Sequence, residues 1–81
     1  MNIEMGIRVL FVGVLADVTG SAFRYYNNVR SMEELKLMIE TEFPELVHYL
    51  FRISHNHTFT DANPLLRDGD EVALIPPFSG G

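Results

Sequence analysis

There is no cysteine anywhere in the 81 residues. A disulfide framework, a zinc–thiolate site and a cysteine nucleophile are excluded together, and the chain is expected to be cytoplasmic. No apolar run approaches the ~18–20 residues that cross a bilayer. The opening "MNIEMGIR" also lacks the basic segment of a secretory leader, so no membrane partner is expected. Basic residues are scarce: 6 Lys and Arg against 11 Asp and Glu give a formal charge of −5. Nucleic acid and anionic lipid require clustered positive charge, so no nucleic-acid partner is expected either; docking onto a basic protein surface suits this composition better. Internal repeats and low-complexity segments are lacking as well.

What remains is a short chain with an apolar fraction of 47%, enough for one core and one domain over residues 1–81. A chain of this length buries only about 60–65% of its unfolded surface, so the fold must be economical. "IRVLFVGVL" (7–15) is almost continuously apolar and predicts a central strand, with Gly20 in "ADVTG" as a turn residue. "SAFRYYNNV" alternates Phe23 and Tyr25 with Arg24 and Tyr26 and predicts a second strand near an edge, joined to the first as a hairpin.

"SMEELKLMIETEF" is the clearest helix. Ser31 caps it, Glu34 completes a capping-box pattern, and Leu35, Met38, Ile39 and Phe43 form a core stripe before Pro44 stops it. "ELVHYLF" predicts a short helical turn leading into a strand, "FRISHNHTF", with His48 at the surface or half-buried. The loop "TDANPLLRDGD" precedes a last strand, "EVALIPP". The order strand, strand, helix, strand, strand predicts an α+β fold. With a right-handed crossover, the first and last strands pair in parallel at the centre of a mixed sheet, with the main helix on one face. That is the β-grasp, or ubiquitin-like, plan. It sends residues 76–81 out as an extended C-terminal tail.

The body offers little chemistry. His55 and His57, on a predicted strand, would share a face, but Asp61 is the only nearby third ligand, so no metal site is expected. "DGDE" (68–71) clusters carboxylates without the remaining ligands of a calcium loop and reads as a turn. Paired hydrolytic acids, a Ser–His–Asp set and a phosphate-cradling glycine loop find no support, and no cofactor is expected to be permanently bound. The tail "IPPFSGG" is different. Pro76 and Pro77 stiffen the exit, and Gly80 and Gly81 lack the Cβ that would clash in a narrow cleft. A terminal carboxylate becomes electrophilic once joined to AMP, so the tail reads as a substrate.

"LRDGDEVALIPPFSGG" closely resembles the C-terminal signature of the molybdopterin synthase small subunit, the MoaD family, and "IRVLFVGVLADVTG" and "SMEELKLMIE" are similar to its first strand and helix. The family's short strand around an asparagine falls at Asn56. The resemblance implies that a ubiquitin-activating-type (MoeB-like) adenylyltransferase adenylates Gly81 with MgATP. A persulfide donor then replaces AMP with sulfur, leaving a thiocarboxylate. It also implies insertion of the tail into a MoaE-like large subunit, in a heterotetramer, to donate sulfur to cyclic pyranopterin monophosphate. The catalytic lysines would belong to that subunit. Carried over to this chain, the docking residues are Phe59, Ile75, Pro76, Pro77, Phe78 and Ser79, with Gly80 and Gly81 entering the active site. Alternative roles are a thiamine-thiazole sulfur carrier, a protein-conjugating modifier, or a ubiquitin-like interaction domain with an idle tail.

Overall fold

In the computed structural model, which describes residues 6–77, a five-stranded sheet runs β2-β1-β5-β3-β4. The strands are β1 (Ile7–Phe11), β2 (Phe23–Tyr26), β3 (Arg52–His55), β4 (Thr58–Phe59) and β5 (Glu71–Ile75). β1 and β5 pair in parallel at the centre, and every other pairing is antiparallel. Two helices, α1 (Val14–Thr19) and α2 (Met32–Glu42), and a 3₁₀ turn, Pro44–His48, complete the elements. The β-grasp plan expected from the element order is the plan observed.

Three expectations about the strands are corrected. The first strand stops at Phe11, not Leu15, because Gly13 turns the backbone to φ 62, ψ −131, where a Cβ would be strained. Residues beyond it then bury at helical spacing. Leu15 and Thr19 lie one turn apart on α1, with the Thr19 hydroxyl donating to the Leu15 carbonyl at 3.0 Å. β1 and β2 are therefore antiparallel neighbours joined across a helix, not by a tight hairpin. The segment "FRISHNHTF" is also not one strand. Asn56 and His57 adopt φ 50 and 74 and form the two-residue turn of a β3–β4 hairpin.

β2 is an edge strand, as its composition predicts, with three of its four residues exposed. Tyr26, the buried fourth, donates its hydroxyl to Glu42 Oε1 at 2.6 Å, while Arg24 bonds Glu42 Oε2 at 2.8 Å. The last residue of α2 thus ties down the sheet edge. Burial, then the Glu42 carboxylate, push the Tyr26 phenol far above its usual range.

The cap of α2 is as expected, with one refinement. Ser31 Oγ accepts from the Glu34 N–H at 3.2 Å, whereas the Glu34 carboxylate accepts from the Arg30 N–H at 2.8 Å, one residue before the cap. Met32, Leu35 and Ile39 face the sheet, but Met38 is 38% exposed, a correction to the expected stripe. Once Met32 begins the buried line, Met38 falls about a quarter turn off its axis. Phe43 closes the stripe edge-on against Phe11, ring centres 5.6 Å apart.

The loop from Thr60 to Asp70 is stitched to the start of α2. The Met32 N–H bonds the Pro64 carbonyl, the Leu66 N–H bonds the Arg30 carbonyl, and the Glu33 N–H bonds Asn63 Oδ1. Leu66 is buried by this docking. The core itself lies between one sheet face and α2. Ile7, Val9, Phe11, Val72 and Leu74 meet Leu35, Ile39, Leu15 and Leu46. Each such side chain contributes about 1.5–3 kcal/mol when removed from water.

Candidate docking face and tail root

Strand residues alternate between faces, so the register that buries Val9, Val72 and Leu74 sends their neighbours to the opposite side. Cross-strand partners then line up as one row over all five strands: Phe23, Leu10, Ala73, Ser54 and Phe59. The helical elements pack into the core on the other face. Phe23 is 46% and Phe59 48% exposed, with Tyr25 beside Phe23 in a T-shaped contact. An arginine lies over the aromatic ring at each end, Arg8 on Phe23 at 5.3 Å and Arg52 on Phe59 at 4.2 Å. Arg8 also pairs with Glu71 at 3.5 Å. The Phe23 and Phe59 rings at the two ends of this row are each about half exposed, with Leu10 half-buried and Ala73 and Ser54 buried between them, and such rings are suited to contact with another protein.

The tail root joins this face. β5 is the central strand, its last residue Ile75 is in register with Arg52, and Pro76 and Pro77 follow directly. Ile75 and Pro76 are half-buried and Pro77 is exposed. Of the residues expected from sequence, Phe59, Ile75, Pro76 and Pro77 therefore lie on or beside one surface, with Arg52 bridging Ile75 and Phe59. Phe78, Ser79, Gly80 and Gly81 lie outside the described residues. The sequence reading missed Arg8, Leu10, Phe23, Tyr25 and Arg52 as parts of the face. The alternation in "FRYY" carried the signal for two of them.

At the opposite end of β5 a polar network fixes where the strand begins. Asn56 exchanges backbone-directed bonds with Glu71: its N–H donates to the Glu71 carbonyl at 2.7 Å, and its Oδ1 accepts from the Glu71 N–H at 2.8 Å. Asn56 Nδ2 donates to Asp70 Oδ1 at 3.1 Å, and His55 Nε2 lies 2.8 Å from Asp70 Oδ2. The Arg67 N–H also reaches that carboxylate, closing the Arg67–Asp70 turn, where Gly69 has φ 91. "DGDE" is thus a turn, as read from sequence. Burial alone would raise the Asp70 carboxyl, but hydrogen bonds from His55, Arg67 and Asn56 outweigh it and hold the group below its usual value.

The expected shared face for His55 and His57 is corrected. His55 is on β3 and bonds Asp70, while His57 is in the turn, largely exposed and 3.4 Å from Glu71. Among the described residues, no three His, Asp or Glu side chains gather in a metal-holding arrangement. Nor is any helix long and apolar enough to cross a membrane.

Known proteins share this architecture. A family model described as the ThiS family matches residues 9–81. The solution structure of small archaeal modifier protein 1 from Methanosarcina acetivorans superposes with a TM-score of 0.80 at 19% identity, covering 99% of this chain and 100% of that one. The crystal structure of the corresponding Haloferax volcanii protein gives 0.74 at 21%, covering 93% and 98%. A complex of subunits 1 and 2 of molybdopterin-converting factor from Helicobacter pylori gives 0.71 at 24%, covering 93% and 97%.

Proposed function

The chain belongs to the ThiS family, sulfur carriers of the MoaD/ThiS type, and from that premise we propose that it is the small subunit of a molybdopterin synthase. The observation that carries this reading is the placement of the tail root. The central strand hands the chain to Pro76-Pro77 beside the sheet face that exposes Phe59, so a partner gripping that face also receives the tail. The sequence after Pro77 is Phe-Ser-Gly-Gly, small enough at its end to thread a cleft.

In this reading the Gly81 carboxylate oxygen attacks the α-phosphate of MgATP on a MoeB-like adenylyltransferase, releasing pyrophosphate. Sulfur from a persulfide donor then attacks the acyl carbon. The C–O bond to AMP breaks, leaving an acyl disulfide between Gly81 and the donor. A dithiol reductant cleaves its S–S bond and is itself oxidised to a disulfide, freeing the donor thiol and a thiocarboxylate, ionised at neutral pH. Within a MoaE-like large subunit this sulfur passes to cyclic pyranopterin monophosphate, and hydrolysis restores the carboxylate. Proton transfers fall to the large subunit; this chain supplies the docking row, the stiff exit and the sulfur-bearing end. The likeness to subunit 1 in the Helicobacter pylori complex supports a large-subunit partner, and two such pairs would make the heterotetramer.

A second reading, conjugation of the activated tail to protein amines, draws on the likeness to the small archaeal modifier proteins. Thiamine-thiazole synthesis is the other sulfur destination open to the family. Intact-mass spectrometry after incubation with ATP, the adenylyltransferase and a persulfide donor tests the shared chemistry. The expected result is a gain equal to the oxygen-to-sulfur difference at Gly81, discharged on adding large subunit and pyranopterin. Discharge only onto a thiazole precursor or onto lysines would replace this acceptor. Full activity after deletion of Gly81 would replace the carrier reading by that of a binding module.

A further inference from the structure

β2 ends the sheet on one side, and its register with β1 shows which of its backbone groups are paired. The Phe11 N–H bonds the Ala22 carbonyl at 2.9 Å, so the even-numbered residues of β2 turn their N–H and C=O groups toward β1. Phe23 and Tyr25 turn theirs outward, where no backbone partner meets them among the described residues. The opposite edge, β4, is two residues long and offers no comparable template. Edge strands of proteins that stay single are commonly blunted by proline, lysine or a bulge. "FRYY" has neither proline nor lysine, and its four residues pair with β1 without interruption.

Apolar surface borders this edge on both sides of the sheet. On the open side Phe23 and Tyr25 are exposed, Tyr25 by 57%. On the helix side Leu37 is 61% exposed, and with Met38, Thr41 and Tyr26 it lines an open groove of about 370 Å³ beside the strand. The one charge on β2, Arg24, points to the helix side and is matched by Glu42 at 2.8 Å, both groups partly exposed.

We propose that β2 pairs with β2 of a second copy of this chain, antiparallel and about a two-fold axis at Arg24, joining the two sheets into one. Phe23 then lies opposite Tyr25 of the second copy, and the opposed residues exchange their outward backbone hydrogen bonds. The same pairing sets phenyl against phenol ring across the strands on the open side. On the helix side the two Arg24 side chains, nearest the axis, stand with both Glu42 carboxylates, so the charges brought together sum to zero. With the axis perpendicular to the sheet, both apolar grooves fall on that side and face each other. This self-complementarity selects a second copy as the occupant: one edge supplies the outward backbone groups, the aromatic pair and both signs of charge. Phe59, Ile75 and the Pro76-Pro77 root belong to strands on the far side of β1 and stay open in both copies. The inference does not depend on the sulfur-carrier reading.

Sedimentation velocity of the full chain, from micromolar to millimolar concentration, is expected to show a reversible monomer–dimer equilibrium. Tyr25→Pro deletes an outward N–H, a change that edge strands tolerate, and Leu37→Glu alters an exposed helix position. Each should weaken dimerisation about tenfold or more, with thermal unfolding at low concentration showing a folded monomer. Because the chain has no cysteine, single cysteine variants read the register. At a non-hydrogen-bonded antiparallel pair the Cα atoms are about 4.5 Å apart, within reach of a disulfide. Arg24→Cys should therefore cross-link to its own counterpart under mild oxidant, reversibly with dithiothreitol. Tyr25→Cys, offset from its counterpart, should not.

A monomer at every concentration would overturn the proposal. So would a dimer that survives both Tyr25→Pro and Leu37→Glu, or cross-linking of Tyr25→Cys in preference to Arg24→Cys, since either places the contact elsewhere. Should Tyr25→Pro fail to fold, Leu37→Glu and the two cysteine variants decide the question.

Discussion

The two faces of the sheet are built from alternate residues of the same strands, yet they have opposite fates. On β5, Val72 and Leu74 vanish into the core under α2, while Glu71 and Ile75 stay partly open around Ala73. On β1, Ile7, Val9 and Phe11 are buried, while Arg8 and Leu10 face outward. The covered face holds the fold together, and the open face leaves the Phe23 and Phe59 rings about half exposed, where the proposed partner would meet them. In the proposed function stability and docking are separated by one residue step, and substitutions on adjacent positions should report on different properties.

The largest expected effect comes from the covered face. Leu74→Ala, at a site 2% exposed, should lower the unfolding free energy by about 3 kcal/mol, read from the urea midpoint. Its residual folded fraction should dock normally. Asn56→Ala should cost about 2 kcal/mol in the same measurement, since it strips two side-chain hydrogen bonds and places a Cβ-bearing residue without them at φ 50. Asn56→Gly should recover the part due to backbone conformation.

On the open face the balance reverses. Phe59→Ala should weaken partner binding about tenfold, measured by titration calorimetry, while shifting stability by under about 1 kcal/mol. Equal losses in both measurements would merge the two faces into one structural unit. Tyr26→Phe, which removes the bond to Glu42 without opening a cavity, should cost about 1 kcal/mol and leave docking unchanged.

The smallest effect is the pH dependence from Asp70. Its carboxyl is depressed in the folded chain, so its contribution is fully present above the usual carboxylate value, about pH 4. It is lost as pH falls through the lower folded value. Urea midpoints measured across the acid range should therefore decline less steeply in Asp70→Asn than in the unaltered chain.

Much of the fold was legible because local chemistry and global plan agree. The Ser31 cap, the Pro44 stop, the exposed alternation of β2 and the turn at Asp68–Asp70 each declare themselves in a few residues. The failures share a cause. In "VGVLADVTG" apolar density favours a strand, and only the backbone at Gly13 separates strand from helix. In "SHNH" the hairpin turn has no glycine, because Asn56 takes the left-handed conformation and is held there by Asp70 and Glu71, distant in sequence. The docking row was partly invisible for a related reason. Phe23, Leu10 and Phe59 come from three separate strands and become neighbours only through register.

The parallel pairing of β1 with β5 also has a kinetic consequence. Arg8 meets Glu71 and Phe11 meets Leu74, contacts between strands at opposite ends of the described chain. Contacts of such wide sequence separation form late, after the intervening loop has been closed at an entropic cost. The exit of the tail from its central strand therefore exists only when nearly the entire domain has been synthesised and folded. A truncated or misfolded copy lacks that launch point, so an enzyme recognising it would select finished molecules for loading.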